Sequence, residues 1–333
     1  PGREVLASRL AFLFLSQKLR LYFLKENFEA EPGEWNHGWQ YYAASRIEQN
    51  HRESVILPTM SPASQAMLRS QSGPNSASHL TAVPSCTELT IEPWAMRTLL
   101  LRRLRLPLGL AERRCNGARC GAELDSLGDH RAACRLSGRL RRRATPMERM
   151  LVRICREGGA RVRTNQLVRN LNVRVHSSDN RRIEVIADGL PFYSGCQIAL
   201  DASLVSPLTC QGTPRLNSHI RDAAVLEEAR RKKEQRTYAD VANSGRCRFI
   251  TAGVEIGGRW APALVTFIAR LAKSKARSAP KPLQTAAKHW WRVRWTGMLS
   301  IATHVALAMS LVQDEFTDAP CHDGAESPAL SEI

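Results

Sequence analysis

With 333 residues and 43% hydrophobic content, the chain has the apolar material for a real core, in one large domain or two smaller ones. Its 48 Lys and Arg against 31 Asp and Glu give a net charge of +17, an excess that suits a polyanionic partner, nucleic acid first and an anionic membrane surface second. Nine cysteines are an odd number, and the chain opens on no apolar h-region with a small-residue cleavage site; both favour a reducing, intracellular compartment over secretion.

Residues 1–60 are expected to hold one amphipathic helix and the aromatic stretch EWNHGWQYY. The hydrophobic opening is broken by Arg9, Lys18 and Arg20, well short of the roughly 20 apolar residues a membrane span needs. Pro1 in place of Met reads as the start of a fragment. From Met60 to Ser85 the chain is rich in Ser, Pro, Ala and Gly, the composition of a linker, so a boundary is placed there. PWAMRTLLLRRLRLPL follows as a basic helix ending near Pro107, and residues 61–112 are taken together as linker and basic helix.

Residues 113–136 contain Cys115, Cys120, His130 and Cys134, with four, nine and three residues between them. Short gaps within each pair let two knuckles chelate one ion, and structural zinc takes four Cys or His ligands. The intervening GAELDSLGD is turn-rich and lacks bulk, so a metal would supply its folding energy. With every position filled by protein, such a site binds and does not catalyse. The bland alternative is two small core cysteines and a surface histidine. Basic runs flank the cluster at Leu99–Arg114 and Arg135–Arg143, and a third lies at Glu227–Arg236.

In TPMERMLVRICREGG, Met147, Met150, Leu151, Ile154 and Cys155 follow the spacing of a helix with one buried face. Thr145 is its expected cap, Pro146 its first residue, Glu148 the capping-box acid and Gly158–Gly159 its end. Four β-type runs come next: NVRVHS, RRIEVIADG, CQIALDASLVS and RCRFITAGVEIGG. A charged helix from His219 to Gly245 separates the last two, and a basic helical coda broken at Pro280 and Pro282 closes the pattern. Helix, strands, helix, strand, helix describes an α/β domain, with its core at 140–275, basic helices at 276–313 and a disordered tail at 314–333.

If the second and third runs pair antiparallel through GLPFYSG, Asp188 and Asp201 approach each other near the turn. Two such carboxylates suit Mg²⁺, which takes hard oxygen ligands and can activate water at a phosphate. Lys232 and Lys233 lie on the following helix, with Tyr238 about one turn on. The alternative is that Asp188 merely forms a turn and the lysines are a solvated face. In KHWWRVRW, Trp and Arg together could stack bases or form an amphipathic helix packed on the domain.

The order of these motifs resembles the C-terminal region of non-LTR retrotransposon polyproteins of the restriction-enzyme-like endonuclease type, as in dinoflagellate-type retrotransposon-derived reading frames. LLLRRLRLPL, LDSLGDHRAAC, CREGGARV, EVIADGLPFYSG, LDASLVSPL, RRKKEQRTY and VEIGGRW carry the likeness, over about Ser72 to Val312. The resemblance implies a CCHC zinc knuckle and a PD-(D/E)xK mixed-sheet domain with flanking helices. It also implies a nuclear, Mg²⁺-dependent DNA endonuclease that nicks target DNA, with element RNA as a second partner. Asp188 would match the first acid of the motif, Asp201 the second, Lys233 the basic residue, with Lys232 a substitute, and Tyr238 its companion. Glu148 either caps its helix or supplies an additional acid, and Glu184 ranks below these as a strand residue facing out.

The chain departs from the family pattern in three places. Ala187 stands where the broader motif has Pro, four residues separate Cys115 from Cys120, and Lys233 to Tyr238 is one residue longer. It shows no Tyr followed by paired aspartates of a reverse transcriptase. A catalytically silent nucleic-acid-binding protein, or a decayed remnant of an element, is the rival reading.

Overall fold

A computed structural model of the chain describes residues 39–109, 114–117, 119–171 and 173–317. Two compact units meet at Ser61. In the first, helix α1 (Trp39–His51) continues through a wider turn, Arg52–Ile56, and a last turn, Leu57–Thr59. The amphipathic helix anticipated near the start lies outside the described residues.

The second unit begins with α2 (Pro62–Ser70), α3 (Ser78–Thr81) and α4 (Pro93–Arg103). The segment that reads as a linker is instead packed: Ala66, Met67 and Ser70 are buried. Its small residues serve close approach. A Cβ added to Gly257 would sit 2.6 Å from the Ser70 carbonyl carbon, and in that contact Gly257 N donates to Ser70 Oγ at 3.1 Å. Arg259 then donates to the Arg69 carbonyl at 3.0 and 2.9 Å. The basic helix α4 forms where its sequence places it.

Next come α5 (Asp129–Ala133) and α6 (Arg139–Glu157). Met147, Leu151, Ile154 and Cys155 are fully buried, as the periodicity requires, and Gly158 ends the helix. Its start differs from expectation: the cap position is Gly138, and Pro146 lies inside the helix. The arginine run forms the first turns because its side chains have partners. Arg139 donates to the Ser310 carbonyl and Arg143 to the Ala132 carbonyl, each at 2.7 Å. Glu148 is therefore mid-helix and is not a capping-box residue.

The sheet holds β1 (Arg161–Leu167), β2 (Arg182–Asp188), β3 (Gln197–Val205) and β4 (Cys247–Glu255) in that spatial order. The first three are antiparallel neighbours, whereas β3 and β4 are parallel. Parallel strands need a crossover, supplied here by α7 (Ala224–Lys232) and α8 (Ala239–Ala242). Three strands coincide with the β-type runs. NVRVHS is not one: Val173 and Val175 sit in a loop packed against the sheet, and the polar, largely exposed β1 takes the edge.

Two helices complete the unit, α9 (Pro262–Ala276) and α10 (Gln284–Thr317), broken around Pro280 and Pro282 as anticipated. Lys281–Val312 is long and apolar enough to cross a membrane, yet 83% of its apolar window is buried inside the protein. There α10 acts as the central core helix. Residues 314–317 continue it, and the remainder of the expected tail lies outside the described residues.

Alternation along the strands sends side chains to two faces. Val185, Ile198, Leu200 and Val254 meet α6, α9 and α10 in the main core, with Phe267, Trp295 and Met298. Ile186, Ala199 and Phe249 face the other way, onto Tyr238 and Val241. Trp295 is fully buried and donates to Glu157 Oε2 at 2.7 Å, so the packing reading of KHWWRVRW holds for it; Trp290 is 55% exposed.

Candidate metal centre and carboxylate cluster

Cys115, Cys120, His130 and Cys134 converge, with one ligand atom of each lying within 4.8 Å of the others. The local chain explains why. Arg114 bridges Glu123, Cys115 N donates to the Ala122 carbonyl at 2.8 Å and Cys120 N to Gly117 O at 2.9 Å, which folds the first cysteine pair into a tight loop. Gly117 is required in it, since a Cβ there would fall 2.8 Å from the backbone of Leu136 and Ser137. Asp125 caps α5, accepting from Asp129 N and His130 N at 2.9 and 2.7 Å.

His130 Nδ1 lies 3.0 Å from the Cys210 carbonyl; donating there leaves Nε2, 3.4 Å from Cys120 Sγ, as the ligand nitrogen. Such an outer contact fixes the tautomer in histidine metal sites. Burial is the main cause that pushes the Cys115 thiol up to about 11, and a metal is the natural replacement for its proton. Thiolates and imidazole suit zinc, so this set could hold a metal such as zinc. The wider Cys115–Cys120 gap does not remove Cys115, which is buried among the others.

Beneath the centre, Asp129 is 5% exposed and paired to Arg102 and Arg105 at 3.1 and 2.8 Å. Arg131 donates to the Leu311 carbonyl of α10. The cluster is thus bolted to the core helix.

The carboxylates assemble differently from the sequence expectation. Val185 pairs with Leu200, Ile186 with Ala199 and Ala187 with Ile198; the same register sets Asp188 opposite Gln197 and Glu184 opposite Asp201. Asp188 and Asp201 are therefore four residues apart along the sheet, about 13 Å at the rise of a strand, and the structure does not bring them together. The eight-residue turn between the strands is the reason: it closes at Asp188, not near Asp201. Asp188 is held by Arg163 at 3.1 Å and by Gln197 at 2.8 Å.

Glu184 and Asp201 share the sheet face that carries the α7–α8 crossover. Asp201 is fully buried and receives Lys233 Nζ at 2.8 Å and Ser203 Oγ at 3.2 Å. Glu184 is half-buried, and its Oε2 has no hydrogen-bond partner. Burial, then the charge of Asp201, pushes the Glu184 carboxyl up to about 8, with Lys233 opposing and Glu148 adding to the rise. Glu148 and Glu184 line one cleft of about 630 Å³, beside Arg149, Arg182 and Thr164.

Lys233 rather than Lys232 reaches the cluster; Lys232 is exposed. Lys233–Thr237 is a π turn, closed by Tyr238 N donating to the Lys233 carbonyl at 2.8 Å. A π turn absorbs one extra residue within a helix, which accommodates the longer Lys233–Tyr238 spacing. The Tyr238 ring then lies 5.6 Å from Lys233 Nζ, and its hydroxyl donates to the Arg182 carbonyl at 2.7 Å. Burial first, then Asp201 and Glu184, raises its phenol, so Tyr238 stays neutral and positions Lys233.

Glu148, Glu184, Asp201, Lys233 and Tyr238 thus gather in one place, and Asp188 stands apart. No protein-family profile matches the chain, and no curated protein is detectably similar to it.

Proposed function

We propose that this protein is a metal-dependent phosphodiester hydrolase that nicks DNA, built as a zinc knuckle followed by a restriction-endonuclease-like domain of the retrotransposon type, acting in the nucleus. The observation that carries the reading is the acidic pair Glu184 and Asp201 on adjacent strands with Lys233 Nζ at 2.8 Å. The element order α6–β1–β2–β3–α7–β4 supports it, because a PD-(D/E)xK core is a mixed sheet flanked by helices in which the acids lie on the central strands. Glu184 takes the place expected of Asp188.

Mg²⁺ fits these residues. Two facing carboxylates, one with a buried oxygen lacking a partner, repel each other unless a proton or a cation lies between them, and hard oxygen donors suit Mg²⁺. Bound by Glu184 and Asp201, the ion would supply Lewis-acid charge to the phosphate and acidify water. The rest belongs to the chain. Lys233, oriented by Asp201 and Tyr238, offers an ammonium to the charge that builds on the phosphoryl oxygens. Arg149 and Arg182 at the cleft receive the anionic strand, and Glu148 is within the same cleft to accept a proton from the attacking water. That water adds to phosphorus, its proton leaves to a base, and the departing alkoxide is protonated from solvent.

Supercoiled plasmid incubated with protein and Mg²⁺ tests the reading. Nicked circles that vanish in Glu184→Gln are expected. Salt-sensitive DNA binding with no nicks in any Mg²⁺ concentration would instead establish a silent nucleic-acid-binding protein.

A further inference from the structure

A second cleft, of about 240 Å³, runs between the metal-cluster helix and α7. Its floor is the end of β3, from Ser203 to Ser206, and Arg135, Arg215, Lys232 and Lys233 line it against one carboxylate, Glu228. Lys233 is already paired with Asp201. Arg135, Arg215 and Lys232 make no ion pair among the described residues. Arg215 is half-buried, with its Nε donating to the Leu208 carbonyl at 3.4 Å. Burial first, and then the facing charge of Arg135, holds its guanidinium below the ordinary range.

Cations gathered in a concave site without matching carboxylates are arranged for an anion, and paired guanidinium forks fit phosphate oxygens. The position says which anion. Lys233 belongs both to this cleft and to the acidic cluster. Ser203, on the floor, is two residues beyond Asp201 on the same strand face, about 7 Å along it, and donates to Asp201 Oδ2. An anion seated here is adjacent to the reacting position, as the neighbouring diester of a polymer would be.

We propose that this cleft binds a backbone phosphate of the nucleic-acid strand next to the one cleaved, with Arg135 and Arg215 as its ligands and Lys232 at the mouth. The proposal rests on the phosphodiesterase reading above. It also gives the metal centre a purpose. Arg135 follows Cys134 directly, and Ala132 and Ala133 of α5 form the same wall. Metal at the Cys/His cluster therefore holds Arg135 opposite Arg215, and the knuckle and the nuclease core grip one strand together.

Fluorescence anisotropy of a short labelled duplex, with zinc-loaded full-length protein in Mg²⁺-free buffer across a salt series, tests this. Arg135→Ala/Arg215→Ala should weaken binding by about tenfold or more and lower the slope of log affinity against log salt by about two, one per lost phosphate contact. Arg215→Ala alone, remote from the metal ligands in sequence, should lower it by about one, and Glu228→Gln should tighten binding. Wild-type affinity and slope in a folded, zinc-loaded double variant overturn the proposal. Inorganic phosphate that binds the wild type but not the variant, with duplex affinity unchanged, makes the cleft a small-anion pocket and overturns it equally. Glu184→Gln keeps the two readings apart: it should bind duplex as wild type does while failing to nick. If it nicks normally, the chemistry falls and the cleft stands; if it fails to nick while the arginine variants bind normally, the cleft alone falls.

Discussion

Glu184 faces Asp201 across the β2–β3 pair, one residue beyond the bonded partners Val185 and Leu200. Opposite residues of an antiparallel pair have Cβ atoms roughly 5 Å apart, and like charges so placed destabilise the sheet. Lys233 relieves part of that repulsion from Asp201, and the unpartnered Glu184 Oε2 retains the rest.

The two acids of β2 should separate cleanly in activity. Glu184→Gln removes a charge from the cluster and is expected to lower nicking by about 100-fold or more, in line with loss of an electrostatic group at a reacting centre. Asp188→Asn keeps its contacts with Gln197 and gives up an ion pair with the exposed Arg163, so nicking should change by less than about threefold. The plasmid assay reads both, and a reversed order of sensitivity would return Asp188 to the site.

Lys232 and Lys233 are neighbours with unequal roles. Lys233→Met leaves buried Asp201 without its cation, which should cost about 1–3 kcal/mol in denaturant titration and abolish nicking. Lys232→Met should leave stability within about 0.5 kcal/mol and weaken only DNA binding. Equal losses of stability in the two variants would show that the side chains share the Asp201 contact.

Deletion of Gln235, an exposed residue of the π turn, should be tolerated. Removing one residue converts the π turn to an α turn, in which Tyr238 N still meets the Lys233 carbonyl. Retained nicking and an unchanged or higher melting temperature are expected. Loss of both would mean that the wider turn, rather than the Lys233–Tyr238 contact, is what the site requires.

The metal centre should bind one zinc per chain. Cys115→Ser, His130→Ala and Cys134→Ser are each expected to lose it, whereas Cys86→Ser should retain full stoichiometry by elemental analysis. Chelation should lower the melting temperature, because α5 carries the Asp129 and Arg131 contacts to α4 and α10 and cannot detach without exposing buried charge. A Cys115→Ser variant with wild-type zinc content would reduce the ligand set to three.

What the sequence revealed depended on whether the signal was local. The helix face of Met147, Leu151 and Ile154 and the alternation of Ile183 with Val185 are properties of consecutive residues, and both form as read. The four zinc ligands were legible because their spacing alone brings them together. Glu184 was undervalued because its partner depends on register. Counting outward from the turn, with Asp188 opposite Gln197, would have paired it with Asp201. The linker reading of Pro62–Ser85 failed for a related reason: small residues mark a flexible segment or a close approach, and only the position of Gly257 against Ser70 decides which.

Metal-free stability should fall as pH rises, and Glu184 should cause it. Its carboxyl is raised from 4.5 to about 8 in the folded protein, first by burial and then by Asp201. Below the unfolded value both states are protonated and nothing is lost. Between 4.5 and about 8 the unfolded chain releases the proton while the folded chain keeps it, so stability declines at a rate on the order of 1 kcal/mol per pH unit. The groups facing Glu184 are Asp201 on β3, Lys233 and Tyr238 on the crossover and Glu148 on α6. Among them Asp201 and Glu148 raise it and Lys233 opposes. Urea unfolding of zinc-supplemented, Mg²⁺-free protein should therefore give wild-type and Glu184→Gln curves that diverge through this window, and Mg²⁺ should bring the wild type back by favouring the ionised pair. The Mg²⁺ concentration for half-maximal nicking should fall over the same range. Parallel stability curves for the two proteins would show that Glu184 titrates as an ordinary surface acid and that no cation is needed between it and Asp201.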